Sequence, residues 1–185
     1  MRISIITPSL NQGKFIEETI KSVINQEGDF ELEYIIIDGG STDDTLNIIK
    51  RYDSLINGGG FKASCRKLLF KWISEKDKGQ SDAINKGFKM ASGEIVNWLG
   101  SDDLLELGAL KKIDNFFKKN KDAFVVFGHN QFINETNQRL KCLKSRAFSR
   151  HELIERWRHV YVTFNLPQPS TFARKEVINE IGHLD

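Results

Sequence analysis

Apolar residues in this chain come in short, nearly continuous runs, separated by stretches in which they recur every three or four positions. Ile3 to Thr7, Tyr34 to Ile37, Leu68 to Ser74, Ile95 to Leu99 and Ala123 to Phe127 are runs of strand length. Runs with so little polar alternation belong to strands covered on both faces. Between them, four stretches each place their apolar residues on one helical face: Lys14 to Asn25, Thr45 to Tyr52, Asp82 to Ala91 and Ala109 to Asn120. Strand and helix alternate up to the fifth strand, which predicts an α/β fold with a parallel sheet and helices on both faces. Pro8 is expected to end the first strand.

Beyond Gly128 the pattern changes. Gln131 to Ile133 and Arg139 to Leu143, with the polar Asn134-Glu135-Thr136-Asn137 between them, predict a hairpin. A helix is expected from Arg150 to His159, an extended segment from Pro167 to Ala173, and a last short helix from Lys175 to Ile181, stopped by Gly182. At 185 residues, 39% apolar and 28% charged, with no repeat or low-complexity linker, the chain reads as one globular domain.

Charge narrows the function classes. The 27 basic and 25 acidic residues leave a net charge of +2, too small to argue for nucleic acid. Lysines do cluster at Lys111, Lys112, Lys118, Lys119 and Lys121, and basic residues again from Arg139 to Arg150. A solvated face explains such clusters, and contact with anionic lipid would also use them. Cys65 and Cys142 lack metal-ligand spacing and suggest neither a zinc site nor a disulfide framework. The apolar N-terminal run is too short for a signal peptide, and no run approaches the about 20 residues of a membrane span. These features predict a cytoplasmic protein, with peripheral contact at the inner membrane face as an option.

Candidate chemistry sits where apolar runs stop. Ile95 to Leu99 ends at Gly100-Ser101-Asp102-Asp103. Adjacent carboxylates are either solvated, as in a turn and helix start, or neutralised by a cation, and hard oxygen donors favour Mg²⁺ or Mn²⁺. The second run ends at Asp38-Gly39-Gly40. Ser41 or Thr42 can cap the following helix, and Asp43 and Asp44 suit its dipole, which leaves Asp38 without a visible structural task. A carboxylate at a strand's carboxyl end is placed where open α/β sheets bind nucleotides. Gly13-Lys14 is not a phosphate loop, because Phe15 follows and the earlier glycine is missing. No G-x-G-x-x-G follows the first strand, and Thr7-Pro8-Ser9 is not the acidic pair of a receiver domain.

Taken together, TPSLNQGKFIEETIKSVINQ, EYIIIDGGSTDDT, WISEKDKGQSDAINKGFKMASGE and NWLGSDDLLELGAL resemble, in order and over essentially the whole chain, family 2 of the glycosyltransferases. Gln168 to Phe172 and Ile181 to Asp185 resemble that family's C-terminal half. The resemblance implies the GT-A fold: a Rossmann-like, mostly parallel sheet flanked by helices, with a smaller mixed acceptor-side part. Residues 1–128 would be the nucleotide-sugar-binding half and 129–185 the start of the acceptor-side half. The implied activity is inverting transfer of a hexosyl group from a nucleotide-diphosphate sugar to a hydroxyl of a glycan or lipid-linked acceptor, in bacterial surface polysaccharide synthesis. Thr7, Pro8 and Ser9 would form the nucleobase-contacting loop, Asp38 would bind the nucleoside, and Lys78 and Asp82 would flank the nucleotide. Asp82 suits a helix N-cap equally well. Ser101-Asp102-Asp103 matches the DXD-like motif, with Asp102 on ribose or metal and Asp103 on the Mn²⁺ or Mg²⁺ that bridges the diphosphate. Two departures stand out. Gly39 replaces a second acid that many members carry after Asp38. The family's general base lies shortly beyond the position of Leu184-Asp185, so the chain is expected to be truncated before it, with His183 and Asp185 close only by position. A catalytically inactive nucleotide-binding domain of the same fold is the alternative.

Overall fold

The computed structural model describes residues 1–145, 167–182 and 184. The helix expected at Arg150 to His159, and both His183 and Asp185, lie outside the described residues.

Strand β1 (Arg2–Ser9) lies in the middle of a six-stranded sheet. Helix α1 (Ile16–Ile24) leads to β2 (Gly28–Asp38), parallel to β1, and α2 (Thr45–Asn57) leads to β3 (Cys65–Ser74), parallel to β2 on its far side. Helix α3 (Gln80–Met90) then carries the chain back across, so that β4 (Ile95–Trp98) pairs in parallel with the other flank of β1. The direction of winding thus reverses between β1 and β4, and α/β sheets open a ligand crevice at the carboxyl ends of strands at such a reversal.

The unbroken apolar runs follow from the two layers. Ile3, Ile5, Leu32, Tyr34, Ile36 and Ile95 face one core, against α1, α2 and α4 (Ala109–Lys119). Ile6, Ile35, Ile37 and Val96 face a second core under α3. Helix α3 sits so close that a Cβ added to Gly87 would lie 2.2 Å from Ile6 Cγ2.

Beyond β4 the sheet departs from the expected parallel continuation. The fifth strand, β5 (Val125–Phe127), does not pair with β4. After a separate antiparallel hairpin of β6 (Asn130–Ile133) and β7 (Arg139–Leu143), and a 3₁₀ turn at Gln168–Ser170, strand β8 (Thr171–Arg174) inserts antiparallel between β4 and β5. The buried Asn97 side chain favours this order, since its amide nitrogen donates to Thr171 O (2.7 Å) and Pro169 O (3.3 Å). Helix α5 (Lys175–Ile181) follows.

Two boundaries differ for physical reasons. Strand β1 runs through Pro8 to Ser9. Ile6 O accepts from Leu99 N on the β4 side, and Ser9 O accepts from Gly39 N on the β2 side. Backbone groups alternate sides along a strand, so the N–H that Pro8 lacks faces β4, whose pairing has already ended at Ile6. Strand β2 starts at Gly28 and not near Tyr34. Its first half alternates, with Phe30 and Leu32 in the core and Glu31 and Glu33 opposite, each carboxylate ion-paired (Arg2 and Lys71).

Candidate nucleotide-sugar site

Thr7, Pro8, Ser9 and Asp38 lie together at the carboxyl edge, with Ser9 opposite Asp38 and Asp38 opposite Ser74 in register. Thr7 is fully buried and its hydroxyl accepts from Tyr34 OH (3.2 Å). Ser9 is buried too, but its hydroxyl has no hydrogen-bond partner among the described residues. An unpartnered buried hydroxyl at a ligand crevice is a group waiting for a partner.

Asp38 has the structural task that the sequence did not show. Its Oδ2 accepts from Ser74 Oγ (2.6 Å), Ser41 N (3.0 Å) and Gly40 N (3.2 Å), and its Oδ1 accepts from Ser41 Oγ. The carboxylate closes the turn after β2 and ties it to β3. The same turn is stapled to the loop after β1. Asn11, in a left-handed conformation (φ 53°), donates its N–H to Ser41 Oγ and accepts from Thr42 N. Gln12 N donates to Thr45 Oγ1 and Gly13 N to Asp43 Oδ2, each at 2.8 Å. Ser41, Asp43 and Thr45 therefore act across loops, beyond the helix-capping roles the local sequence offers.

Across the crevice, Ser101, Asp102 and Asp103 follow β4. A polar stripe on α1, made of the buried Thr19 and the half-buried Ser22, with Gln26 beyond the helix end, holds this loop. Thr19 Oγ1 donates to Ser101 O (2.9 Å), Leu105 N donates to Ser22 Oγ (3.1 Å), and Gln26 bridges Glu106 O and Leu110 N. The spacing of these polar residues on an otherwise apolar helix face was the legible signal for that anchoring. Asp102 and Asp103 converge over Gly100, where an added Cβ would lie 2.8 Å from Asp103 Oδ2 and 3.0 Å from Asp102 Oδ1. Burial, and next the charge of Asp102, push the Asp103 carboxyl above its ordinary value, against a hydrogen bond from the Gly100 backbone. The exposed Asp102 and the half-buried Asp103 thus set like charges side by side, a repulsion that a bound cation relieves. No group of three or more His, Cys, Asp or Glu side chains is placed to hold a metal among the described residues. A cation here would draw two hard oxygen donors from the protein and leave room for phosphate oxygens and water, the arrangement that Mg²⁺ and Mn²⁺ favour.

Lys78 precedes α3 and Asp82 lies in its first turn. Asp82 accepts from Lys78 N (3.1 Å) and pairs with Lys86 (3.3 Å), so it stabilises the helix start. The half-buried Asp77 beside them packs on Gly39: a Cβ there would lie 2.5 Å from Asp77 Oδ2. Sequence reading passed over Asp77, because a carboxylate within a polar run carries no local mark.

A model of glycosyl transferase family 2 matches residues 4–182. The poly(ribitol-phosphate) beta-N-acetylglucosaminyltransferase TarP of Staphylococcus aureus (strain N315) is 36% identical over 130 residues, 68% of this chain and 36% of the relative. A PGL/p-HBAD biosynthesis glycosyltransferase of Mycobacterium bovis (strain BCG / Pasteur 1173P2) is 32% identical over 127 residues, 68% of this chain and 45% of the relative. The chain spans less than half the length of these curated relatives. Among solved structures, S. aureus TarS 1-349 in complex with UDP-GlcNAc superposes with a TM-score of 0.66 at 21% identity, over 98% of this chain and 47% of that one. Mannosyltransferase PcManGT from Pyrobaculum calidifontis, in complex with GDP-Man and Mn²⁺, gives 0.67 at 18% identity, over 99% and 47%. The sheet and its helices are those of the GT-A fold, and the chain belongs to glycosyl transferase family 2.

Proposed function

We propose that the chain binds a nucleoside-diphosphate sugar and transfers the sugar, with inversion at the anomeric carbon, to a hydroxyl of a bacterial surface glycan. The observation that carries this reading is the convergence of Asp102 and Asp103 over Gly100, across the crevice from Ser9 and Asp38. The printed ligands of TarS and PcManGT, UDP-GlcNAc and GDP-Man with Mn²⁺, support a donor of this class. So do the sugar-transfer activities printed in the names of TarP and the mycobacterial relative.

Asp103 and Asp102 would hold a divalent cation, which when bound neutralises the charge that develops on the departing diphosphate. The protein's own part is positional. The Asp38 clamp and the Asn11 staples fix the loops at the nucleoside end, the α1 stripe fixes the Ser101 to Asp103 loop at the diphosphate end, and Ser9 offers its hydroxyl between them. No helix among the described residues is long and apolar enough to cross a membrane; the basic α4 face is the surface we assign to any contact with an anionic lipid layer.

Calorimetry with UDP and GDP in Mn²⁺ and in chelator tests the reading. Affinity should fall at least tenfold in chelator, and Asp103→Ala should bind alike in both. Equal affinity of the unaltered chain in Mn²⁺ and chelator would remove Asp102 and Asp103 from the role. Binding without any transfer or donor hydrolysis would favour the inactive-domain alternative.

A further inference from the structure

The lysines of α4 share one side of the helix. Leu110, Ile113, Asp114 and Phe117 face inward, and the helical repeat puts Lys111, Lys112, Lys118 and Lys119 on the opposite side. Two of these are engaged at its flank: Lys111 pairs with Glu27 (3.9 Å), and Lys118 pairs with Asp114 (2.7 Å) and donates to Asp29 O. Lys112, Lys119 and, just past the helix, Lys121 are exposed and have no carboxylate partner among the described residues. The second basic stretch of the sequence adjoins the first in the fold, because Arg139 of β7 bridges to Glu106 (3.0 Å) in the segment between Asp103 and α4. Lys141 and Lys144, on that side of the hairpin's turn, are exposed and unpaired among the described residues too. Where the two groups meet stand Leu107, next to Glu106, and Leu140, next to Arg139, 70% and 66% exposed. Exposed leucines scattered singly are ordinary, but a pair flanking one ion pair amid unneutralised lysines marks a contact surface.

We propose that α4 and β7 together seat the chain on an anionic lipid bilayer, with the unpaired lysines over the headgroups and Leu107 and Leu140 in the acyl boundary. A peripheral contact of this kind takes two signals. Lysines near an anionic leaflet supply an attraction that fades within a Debye length, and apolar side chains supply burial that salt does not screen. The lysines alone would suit any polyanion; the leucines single out lipid, since a free phosphate or a nucleic-acid backbone leaves them in water. The seat adjoins the Ser101 to Asp103 end of the crevice through Glu106, so an acceptor anchored in the same bilayer lies beside the site. This extends the lipid-contact surface assigned above and is independent of the donor reading.

The experiment is vesicle sedimentation of the chain with phosphatidylcholine alone and with an equimolar mixture of phosphatidylcholine and phosphatidylglycerol. Partitioning onto the anionic vesicles should be at least about tenfold stronger than onto the neutral ones. Lys112→Glu, Lys119→Glu and Lys121→Glu together should weaken it about a hundredfold, roughly fivefold for each lysine. Lys50→Glu, Lys62→Glu and Lys89→Glu make the same change of net charge at exposed positions on other elements and should weaken it about tenfold at most. Leu107→Ser with Leu140→Ser should weaken vesicle binding at least about fivefold and leave any binding to duplex DNA as it was. Thermal midpoints equal to that of the unaltered chain show that the variants fold; should one set fold poorly, the other decides. The proposal is overturned if anionic vesicles bind no better than neutral ones, or if the control reversals weaken binding as much as the α4 set. It is overturned as well if the leucine pair changes nothing, which would leave a patch for any polyanion. UDP binding in Mn²⁺ is a separate readout, and its absence would bear on the donor site alone.

Discussion

Both oxygens of Asp38 are engaged by donors from the turn that follows it and from Ser74, 36 residues further on. Asparagine at this position would offer an N–H₂ where donors already point. Asp38→Asn should therefore cost about 1–3 kcal/mol, the penalty for unpaired buried groups, seen as a lower urea midpoint at unchanged slope. Nucleotide affinity should weaken through the loosened turn, and metal affinity should stay. An unchanged midpoint would contradict the clamp. The position of Asp38 was legible because a lone carboxylate ended an apolar run. Its task was not, because Ser74 is remote in sequence and the capping roles assigned to Ser41 and Asp43 were locally sufficient. Asp102 and Asp103 were legible by the same abrupt stop, whereas Asp77 gained significance only from Gly39, which the fold sets beside it.

Glu33 shows how one side chain joins several elements. It is fully buried on β2 and accepts from Lys71 of β3 (2.8 Å), Ser4 of β1 (2.5 Å), and the backbone N–H (2.7 Å) and hydroxyl (2.8 Å) of Ser92, in the turn before β4. Burial by itself would raise its carboxyl. The hydrogen bonds from Lys71, Ser4 and Ser92 outweigh it and hold the group at about 2, below its ordinary 4.5. A group whose folded value is depressed stabilises the fold above its unfolded value and loses that contribution as pH falls towards the folded one. Stability should thus decline from about pH 4.5 towards pH 2, and Glu33→Gln should flatten that part of the curve while lowering stability at pH 7. A Glu33→Gln variant as steep as the unaltered chain in thermal melts across this range would refute it. Alternating Phe30-Glu31-Leu32-Glu33 was the readable sign of a longer β2, and it was masked by the stronger apolar run after Tyr34.

At the scale of the molecule, the strand that completes the sheet arrives last. The parallel part was legible because each βα unit is local and repeats the same periodicities. The insertion of β8 was not, since no local pattern tells a chain that Thr171 to Arg174 will pair with β4, laid down far earlier in the sequence. Without β8, β4 becomes an edge and β5 loses its pairing partner in the sheet. Removing residues 167–185 should leave β1, β2 and β3 protected in amide exchange while Val125 to Phe127 exchange freely. Protection of β5 in the shortened chain would show that it holds its place by other means.

Pro8 has a bearing on the permanence of the crevice. Hydrogen-bonded ladders zip and fray with temperature and denaturant, so a gap between two strands that merely diverge is a matter of balance. Here the stop is covalent. The pyrrolidine ring removes the donor that a further rung towards β4 would need, and no change of conditions restores it. The cleft should then have the same width in the empty and the filled protein, and Pro8→Val should let β4 advance along β1, narrowing the mouth through which a donor enters.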